Sequence, residues 1–540
     1  MALADAPPQS EGGEIQSIEP GPVRAPWRYV SVALLSVGVV VVVGAIRLAR
    51  TLGKPYTSPG DVAFIELGIR HALHHGETLG VYSRFGWHHP GPALLYAFAP
   101  VYWLSGSSSR SLFLGAWLIN GVSALGAVWL VRRRAGELGA VLAAAAVFVL
   151  LWRQGFVLWI NPWNPRVLAV PILLLMVSAA SAAAGHAWSF VIALGTASYL
   201  VQAHVGTAPI CAALLLLALI GYSLRVRSAA TKTRVRDVLR ADRVPIATSV
   251  GIVVVAWALP GLQQLRHGSD GNLAQIVKFY RNPPRDAGAT SHSLGSSIVM
   301  VSNHASALVF HEVGGNRADP AKLLALSLFF ALGLVVALVA GRRGQRFIAT
   351  LALTTPLGVT VAVLAATRVI GPVDNYLFYW TNTLALPAAI AAAWLTVDAV
   401  RKHLDARSFK VLAALGTIAL LVLGALALRV ISRAGTASAG DVPAARIAAR
   451  RIENALGNRT KPFTMQTLGL AIERGAVFVQ LDKDGYHFAV DPPPDLYHGN
   501  TSRRPGTPTF LIRDTTWPMP AAPPRRHIAT AGDIDVWVER

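Results

Sequence analysis

At 540 residues, 53% hydrophobic and only 14% charged, the chain is too apolar for an ordinary soluble enzyme of its size. A formal charge of +21 would suit a nucleic-acid binder if the basic residues were gathered in one folded region with interleaved aromatics, but they sit in short loops that follow apolar runs. The composition indicates a membrane protein and excludes nucleic acid as its partner.

Met1–Arg24 is Pro/Gly-rich and mixed in charge, and no small-residue cleavage site follows the first apolar run. A retained first span behind a disordered cytoplasmic tail, residues 1–28, is expected. Apolar runs of about 20 residues, the length that crosses a bilayer, recur along the chain. They predict about eleven spans, near 29–49, 110–131, 138–152, 165–184, 187–204, 206–224, 244–262, 320–340, 347–367, 377–399 and 409–430. Basic loops follow four of the runs, at Arg132–Arg134, Arg225–Arg243, Arg342–Arg346 and Arg401–Arg407. Under the positive-inside rule all four face the cytoplasm only if the apolar run Ala93–Leu104 does not cross. That run is short and bounded by HHPGP and SGSSSR, which suits a helix lying at the interface. The N-terminus is then cytoplasmic, and residues 50–110, 263–319 and 431–540 are extracytoplasmic. The fold class is an all-α polytopic membrane domain over 29–430, with juxtamembrane helices in its first outer loop, followed by a small α+β extracytoplasmic domain. The single cysteine, Cys211, permits no internal disulfide.

The first outer loop carries the densest chemistry. SPGDVAFIELGIRHALHHG predicts a helix with Ser58 as cap and Pro59 in the first position. Asp61 is then either a capping-box acid or a functional carboxylate. Glu66, Arg70 and His74 recur every four residues, as an exposed ion-pair ladder or as part of a site. Next comes VYSRFGWHHPGP, with Tyr82, Arg84, Trp87, His88 and His89. A carboxylate, fixed cations and aromatic rings at the lipid boundary suit a phosphate head group attached to a lipid tail.

Later segments add candidates. WINPWNPR, Trp159–Arg166, reads as an aromatic-belt turn or a substrate rim. LVQAHVG places Gln202 and His204 at an outer turn, facing a cavity or capping. QIVKFYRNPPR gathers Lys278, Tyr280, Arg281 and Arg285 as a solvated amphipathic helix or a second phosphate clamp. RVIGPVDNYLFYW puts Arg368, Asp374 and Tyr376 outside, with Arg368 the better phosphate ligand. His71, His74, His75, His88 and His89 leave room for a divalent metal, though no cysteine or tight carboxylate cluster supports one. Beyond Ile431, ARIAARRIENAL predicts a helix, while AVFVQLD, YHFAVD, TFLIRD and DIDVWVE predict strands.

GDVAFIELGIR, then FGWHHPGPALLYAFAPVYWLSG, then a span ending in a basic turn, resembles the start of the GT-C class of membrane glycosyltransferases. The class includes protein O-mannosyltransferases, lipid A aminoarabinose transferases and mycobacterial arabinofuranosyltransferases. The resemblance covers roughly the first 200 residues. It implies that Asp61 is the catalytic acidic residue, that Glu66 matches a second acid on the same helix, and that His88, His89 and Pro90 form the turn before a juxtamembrane helix. Two positions depart from the class: Val62 stands where many relatives have an adjacent acid, and Gly91 interrupts the usual Pro-Pro pair. The function so implied is transfer of a sugar from a polyprenyl-phosphate donor to a glycan, lipid or protein acceptor at the outer face of a bacterial plasma membrane. In that reading Asp61 is the base, with Glu66 orienting the acceptor or holding Arg70. Arg84, Arg368, Lys278 and Arg281 bind the donor phosphate, and Arg70, Tyr82, Trp87, His88, His89 and His204 position substrate. The alternatives are a transporter or flippase of a lipid-linked saccharide, which should carry ionisable residues in mid-span, and an inactive envelope scaffold.

Overall fold

The structure, a computed structural model, describes residues 31–228, 232–284, 288, 290–311, 315, 317–435, 441–469, 473–491, 507–516, 518 and 524–539. The expected N-terminal tail and Arg285 lie outside these residues. In the apolar runs every backbone polar group must be satisfied internally, and helices follow. The first, α1 (Val32–Ala49), is capped by Ser31, whose Oγ accepts from the Leu34 N–H at 3.2 Å and donates to Glu137 Oε1 at 2.8 Å. Two short helices come next, α2 (Gly60–His75) and α3 (Ala93–Leu104). With 12 residues, α3 is too short to cross: it reaches about 18 Å at 1.5 Å per residue, against about 30 Å of hydrocarbon.

The next helix, α4 (Ser111–Gln154), has 44 residues, but Gly136 (φ 71°, ψ −172°) breaks it immediately after Arg132–Arg134. It therefore holds two expected spans. Short α5 (Phe156–Trp159) and α6 (Asn164–Val167) form the WINPWNPR turn, followed by α7 (Ala169–Ala183), α8 (Trp188–Ala203), α9 (Ala208–Ser228), α10 (Lys232–Ala241) and α11 (Arg243–His267). Residues 263–319 contribute α12 (Asn272–Arg281) and α13 (Leu294–Ala305). The bundle closes with α14 (Pro320–Arg342), α15 (Arg346–Ala366), a 3-10 segment Asn375–Thr383, α16 (Leu386–Arg401) and α17 (Ala406–Arg433). Among the described residues nine helical stretches are long and apolar enough to span a membrane. Dividing α4 at its break gives ten, and the eleventh expected span, α8, is a shorter apolar helix of 16 residues.

The basic loops gather at one end of this bundle. Arg134 Nε donates to Ser181 Oγ at 2.7 Å, Arg225 donates to the Gly185 carbonyl, and Gln345 donates to Asp398 at 3.1 Å. The opposite end carries α2, α3 and the turns that line the cavity described below.

The C-terminal domain comprises α18 (Pro443–Leu456), β1 (Phe463–Leu468), α19 (Glu473–Lys483), β2 (Phe488–Val490), β3 (Thr509–Asp514), β4 (Arg525–Ala531) and β5 (Ile534–Glu539). Its sheet order is β2-β1-β3-β5-β4, with β1 parallel to both β2 and β3 and the other pairings antiparallel. One expectation is overturned. AVFVQLD is not a strand but the body of α19, because the parallel β1–β2 pair needs a crossover and this run supplies it. Short apolar runs do not distinguish a buried strand from a buried helix. The core of this domain also takes in Ala63, Phe64 and Leu67 of α2. Gly475 of α19 lies against that helix, where a Cβ would stand 3.0 Å from the Ala63 Cβ.

Candidate active site

The site is built around α2 and a small hairpin. Gly60 adopts φ 45° as the chain turns into the helix, and Pro59 occupies the capping position without a side-chain bond. Ser58 is not the cap: it turns inward and donates to Glu66 Oε2 at 2.5 Å. Asp61 therefore stands in the first turn free of a capping role, and Tyr82 donates a hydrogen bond to its Oδ1. Its Oδ2 has no partner among the described residues.

Residues 81–89 form the hairpin. The Ser83 N–H donates to the Trp87 carbonyl at 2.8 Å and the His89 N–H to the Val81 carbonyl at 2.7 Å. Asn272, at the start of α12, clamps it by accepting from the His88 N–H and donating to the His88 carbonyl, both at 2.9 Å. Gly91 explains the departure from a Pro-Pro pair. A Cβ there would collide with Gln202 Oε1 and stand 2.6 Å from Pro260 Cγ, so these two side chains crowd any residue larger than glycine.

A cavity of about 780 Å³ lies over this hairpin, within the usual range for small-molecule sites. Asp61, Tyr82, Arg84, Trp87 and His89 line it from the segment between α1 and α4. Trp163, Asn164 and His204 come from the turns of the bundle, and Ile276, Phe279 and Tyr280 from α12. Arg368 and Tyr376 close the polar part, while Val361 and Leu364 of α15 extend it as an apolar wall. Leu364 is 57% exposed on a membrane-spanning helix, so the wall reaches the lipid-facing surface.

The two arginines in the cavity differ. Arg84 Nη1 pairs with Asp374 Oδ2 at 2.5 Å, and Nη2 donates to the Pro372 carbonyl at 2.8 Å. Arg368 is exposed, and its guanidinium has no hydrogen bond or ion pair with any described residue. His89 is buried 4.7 Å, centroid to centroid, from His204, and its Nδ1 accepts from the Val205 N–H at 3.2 Å. Burial, then the neighbouring His204 and His88, hold its pKa well below the usual histidine range. It is a neutral ring with its remaining proton on Nε2. Burial and the Asp61 carboxylate raise the pKa of Tyr82, which stays a donor.

Several expected residues are placed elsewhere. Glu66 does not line the cavity. It is fully buried beside Lys483 Nζ at 2.5 Å and accepts from Tyr102 at 2.9 Å and Ser109 at 2.8 Å. Burial alone would raise its pKa, but the Lys483 ammonium and the Ser58 and Ser109 hydroxyls outweigh that and hold it low. Arg70 pairs with Asp482, so the expected ladder on α2 is replaced by crossed pairs to α19. Lys278 and Arg281 are exposed on the face of α12 away from Ile276 and Phe279, and neither reaches the cavity. His88 is also outside it, with Nδ1 3.0 Å from the Gly80 carbonyl. Among the described residues no group of three or more His, Cys, Asp or Glu side chains is placed to hold a metal. Sequence reasoning missed Asp482 and Lys483 altogether. An isolated acid–base pair some 400 residues from its partners carries no local signal.

No protein-family profile matches the chain, and no curated protein sequence does so. Solved structures do. A crystal structure of ArnT from Cupriavidus metallidurans with bound undecaprenyl phosphate aligns with a TM-score of 0.55 at 13% identity, over 94% of this chain and 97% of that one. Apo ArnT from the same organism aligns at a TM-score of 0.44 with the same identity and coverage. The likeness to the lipid-bound structure runs the length of both chains and establishes a shared fold, that of a multi-pass membrane protein with a C-terminal sheet domain.

Proposed function

We propose that this chain is a membrane glycosyltransferase of the GT-C class that moves a sugar from a polyprenyl-phosphate donor to a hydroxyl acceptor at the membrane face opposite its basic loops. One observation carries the reading. A carboxylate with an unpartnered oxygen and an arginine with an unpartnered guanidinium line one cavity whose apolar wall reaches the lipid-facing surface. The undecaprenyl phosphate bound to ArnT, which shares the fold, is a ligand of the type such a cavity suits.

In the reaction the acceptor hydroxyl loses its proton to Asp61 Oδ2 as its oxygen bonds to the anomeric carbon. The bond from that carbon to the phosphate oxygen breaks, and the polyprenyl phosphate leaves with the electron pair. Attack opposite the leaving group inverts the configuration. Tyr82 fixes the carboxylate, and Arg368 offsets the charge gathering on the phosphate. Arg84, already paired with Asp374, positions the loop instead. Glu66 holds α2 through Lys483, and Trp87, His89 and His204 shape the wall on which the sugar rests. The acceptor is a glycan, lipid or protein hydroxyl, and the protein sits in a bacterial plasma membrane with its N-terminus in the cytoplasm.

The test is transfer in proteoliposomes from a radiolabelled polyprenyl-phosphate sugar. Release of free polyprenyl phosphate with label on the acceptor is expected. Movement of intact donor across the bilayer without cleavage would replace this reading with a flippase. The described spans carry their ionisable groups near helix ends or at the Gly136 break, which argues against passage through the bundle.

A further inference from the structure

A second cavity, of about 430 Å³, lies on the other side of the 3-10 segment Asn375–Thr383 from the first. Residues alternate between the two: Phe378 and Trp380 line the first, while Tyr379 and Asn382 line the second. The WINPWNPR turn divides in the same way, with Trp163 to Pro165 on the first and Arg166 on the second. From an exposed rim at His311 it runs inward to Asn120, which is 2% exposed.

Its lining is rich in polar atoms without protein partners. Asn120 Oδ1, Asn382 Oδ1, Gln154 Nε2 and Trp159 Nε1 are all buried and make no hydrogen bond, and all four residues line this one cavity. Four such atoms facing one cavity form a surface that a polar ligand can pair. Two are acceptors and two are donors. A bare anion only accepts and a bare cation offers no acceptor, so the matching ligand must do both, as a set of sugar hydroxyls does. Two cations complete the lining. Lys322 has a side chain only 12% exposed with one long contact, 3.7 Å, to Asp319. Arg166 stacks over Tyr379 at 4.2 Å and spends one nitrogen on its hydroxyl.

We infer that this second cavity binds an anionic saccharide group, hydroxyl-rich and bearing a phosphate, with the amides and Trp159 on the hydroxyls and Lys322 and Arg166 on the anion. The inference concerns binding alone and stands whether or not the first cavity performs sugar transfer.

The probes are glucose 1-phosphate, glucose and inorganic phosphate, titrated calorimetrically against the full chain in nanodiscs. Glucose 1-phosphate is expected to bind at least ~10-fold more tightly than either fragment. Asn382→Leu and Lys322→Gln should each weaken it by about tenfold, while Arg368→Gln in the first cavity should leave it unchanged. Asn382 makes no side-chain hydrogen bond with any described residue, so Asn382→Leu is expected to fold with an unchanged or higher Tm. Competition by glucose-phosphate polyprenol in the nanodisc, abolished by Asn382→Leu, would assign the head group to a membrane lipid; its absence would assign a soluble glycan phosphate. Equal binding of inorganic phosphate, loss of binding with Arg368→Gln alone, or no binding to the wild type would overturn the inference and leave a hydrated cavity.

Discussion

At Asp61 two roles that local sequence cannot separate are divided by one neighbour. Ser58, the expected cap, is committed to Glu66, so the start of α2 does not depend on a carboxylate at position 61. Asp61→Asn should keep the Tyr82 hydrogen bond and the melting temperature. An amide takes up no proton at neutral pH, so sugar transfer should fall by at least about a hundredfold. Turnover near wild type in a folded Asp61→Asn protein would remove Asp61 from the chemistry. The two arginines should separate in the same assay. Losing a charge-assisted contact costs about 1.5 to 3 kcal/mol, so Arg368→Ala should raise the donor KM roughly 10- to 100-fold. Arg84→Ala should cost less, since its charge is already met by Asp374 in a partly exposed pair. Equal effects on KM would show that both touch phosphate.

Between elements, the decisive contact is α2 against α19. Glu66 and Arg70 pair with Lys483 and Asp482, so two adjacent residues of one helix grip two residues one turn apart on the other. Removing one partner of a buried pair costs about 3 to 5 kcal/mol, and Glu66→Gln should lower Tm and activity together, unlike Asp61→Asn. The pair also sets a pH dependence. Because the folded-state pKa of Glu66 lies below the ordinary glutamate value, its stabilisation is fully present above that value, about 4.3, and is lost as pH falls through the depressed one. Hydrogen exchange in α19 should therefore accelerate on acidification below about pH 4, and Glu66→Gln should flatten that response. An unchanged acid profile in Glu66→Gln would locate the sensitivity elsewhere.

For the whole molecule, the multi-pass helical fold was legible because hydrophobic length acts over many residues at once. Reading Ala93–Leu104 as a non-crossing helix agrees with its 12 residues, and the broken α4 keeps both of its expected spans. Impermeant thiol labelling in intact cells should reach Ser107→Cys and spare Ser408→Cys; the reverse pattern would invert the orientation. Of the cavity lining, Asp61, Tyr82, Arg84, Trp87 and His89 stood out in the sequence through their clustered chemistry. Arg368 lines the same cavity, and in the sequence it stood out as an arginine between two spans away from the basic loops. Lys278 and Arg281 misled because proximity in sequence says nothing of which face of α12 meets the hairpin. The aromatic wall and the α19 contacts were invisible because they join segments far apart in the chain, through packing that periodicity does not encode.

That distance has a consequence in time. The helix bearing Asp61 shares its hydrophobic core with Ala476, Val477 and Phe478, made about 410 positions later, and its Glu66 pairs with Lys483. At synthesis rates of about 5 to 20 residues per second, α2 waits roughly 20 to 80 seconds with Glu66 lacking its cation. Throughout that interval the bundle is already being threaded into the membrane around it. The chain cannot complete the packing around α2 until it has finished its last domain, so a ribosome stalled anywhere in the final span leaves an inserted but unassembled protein.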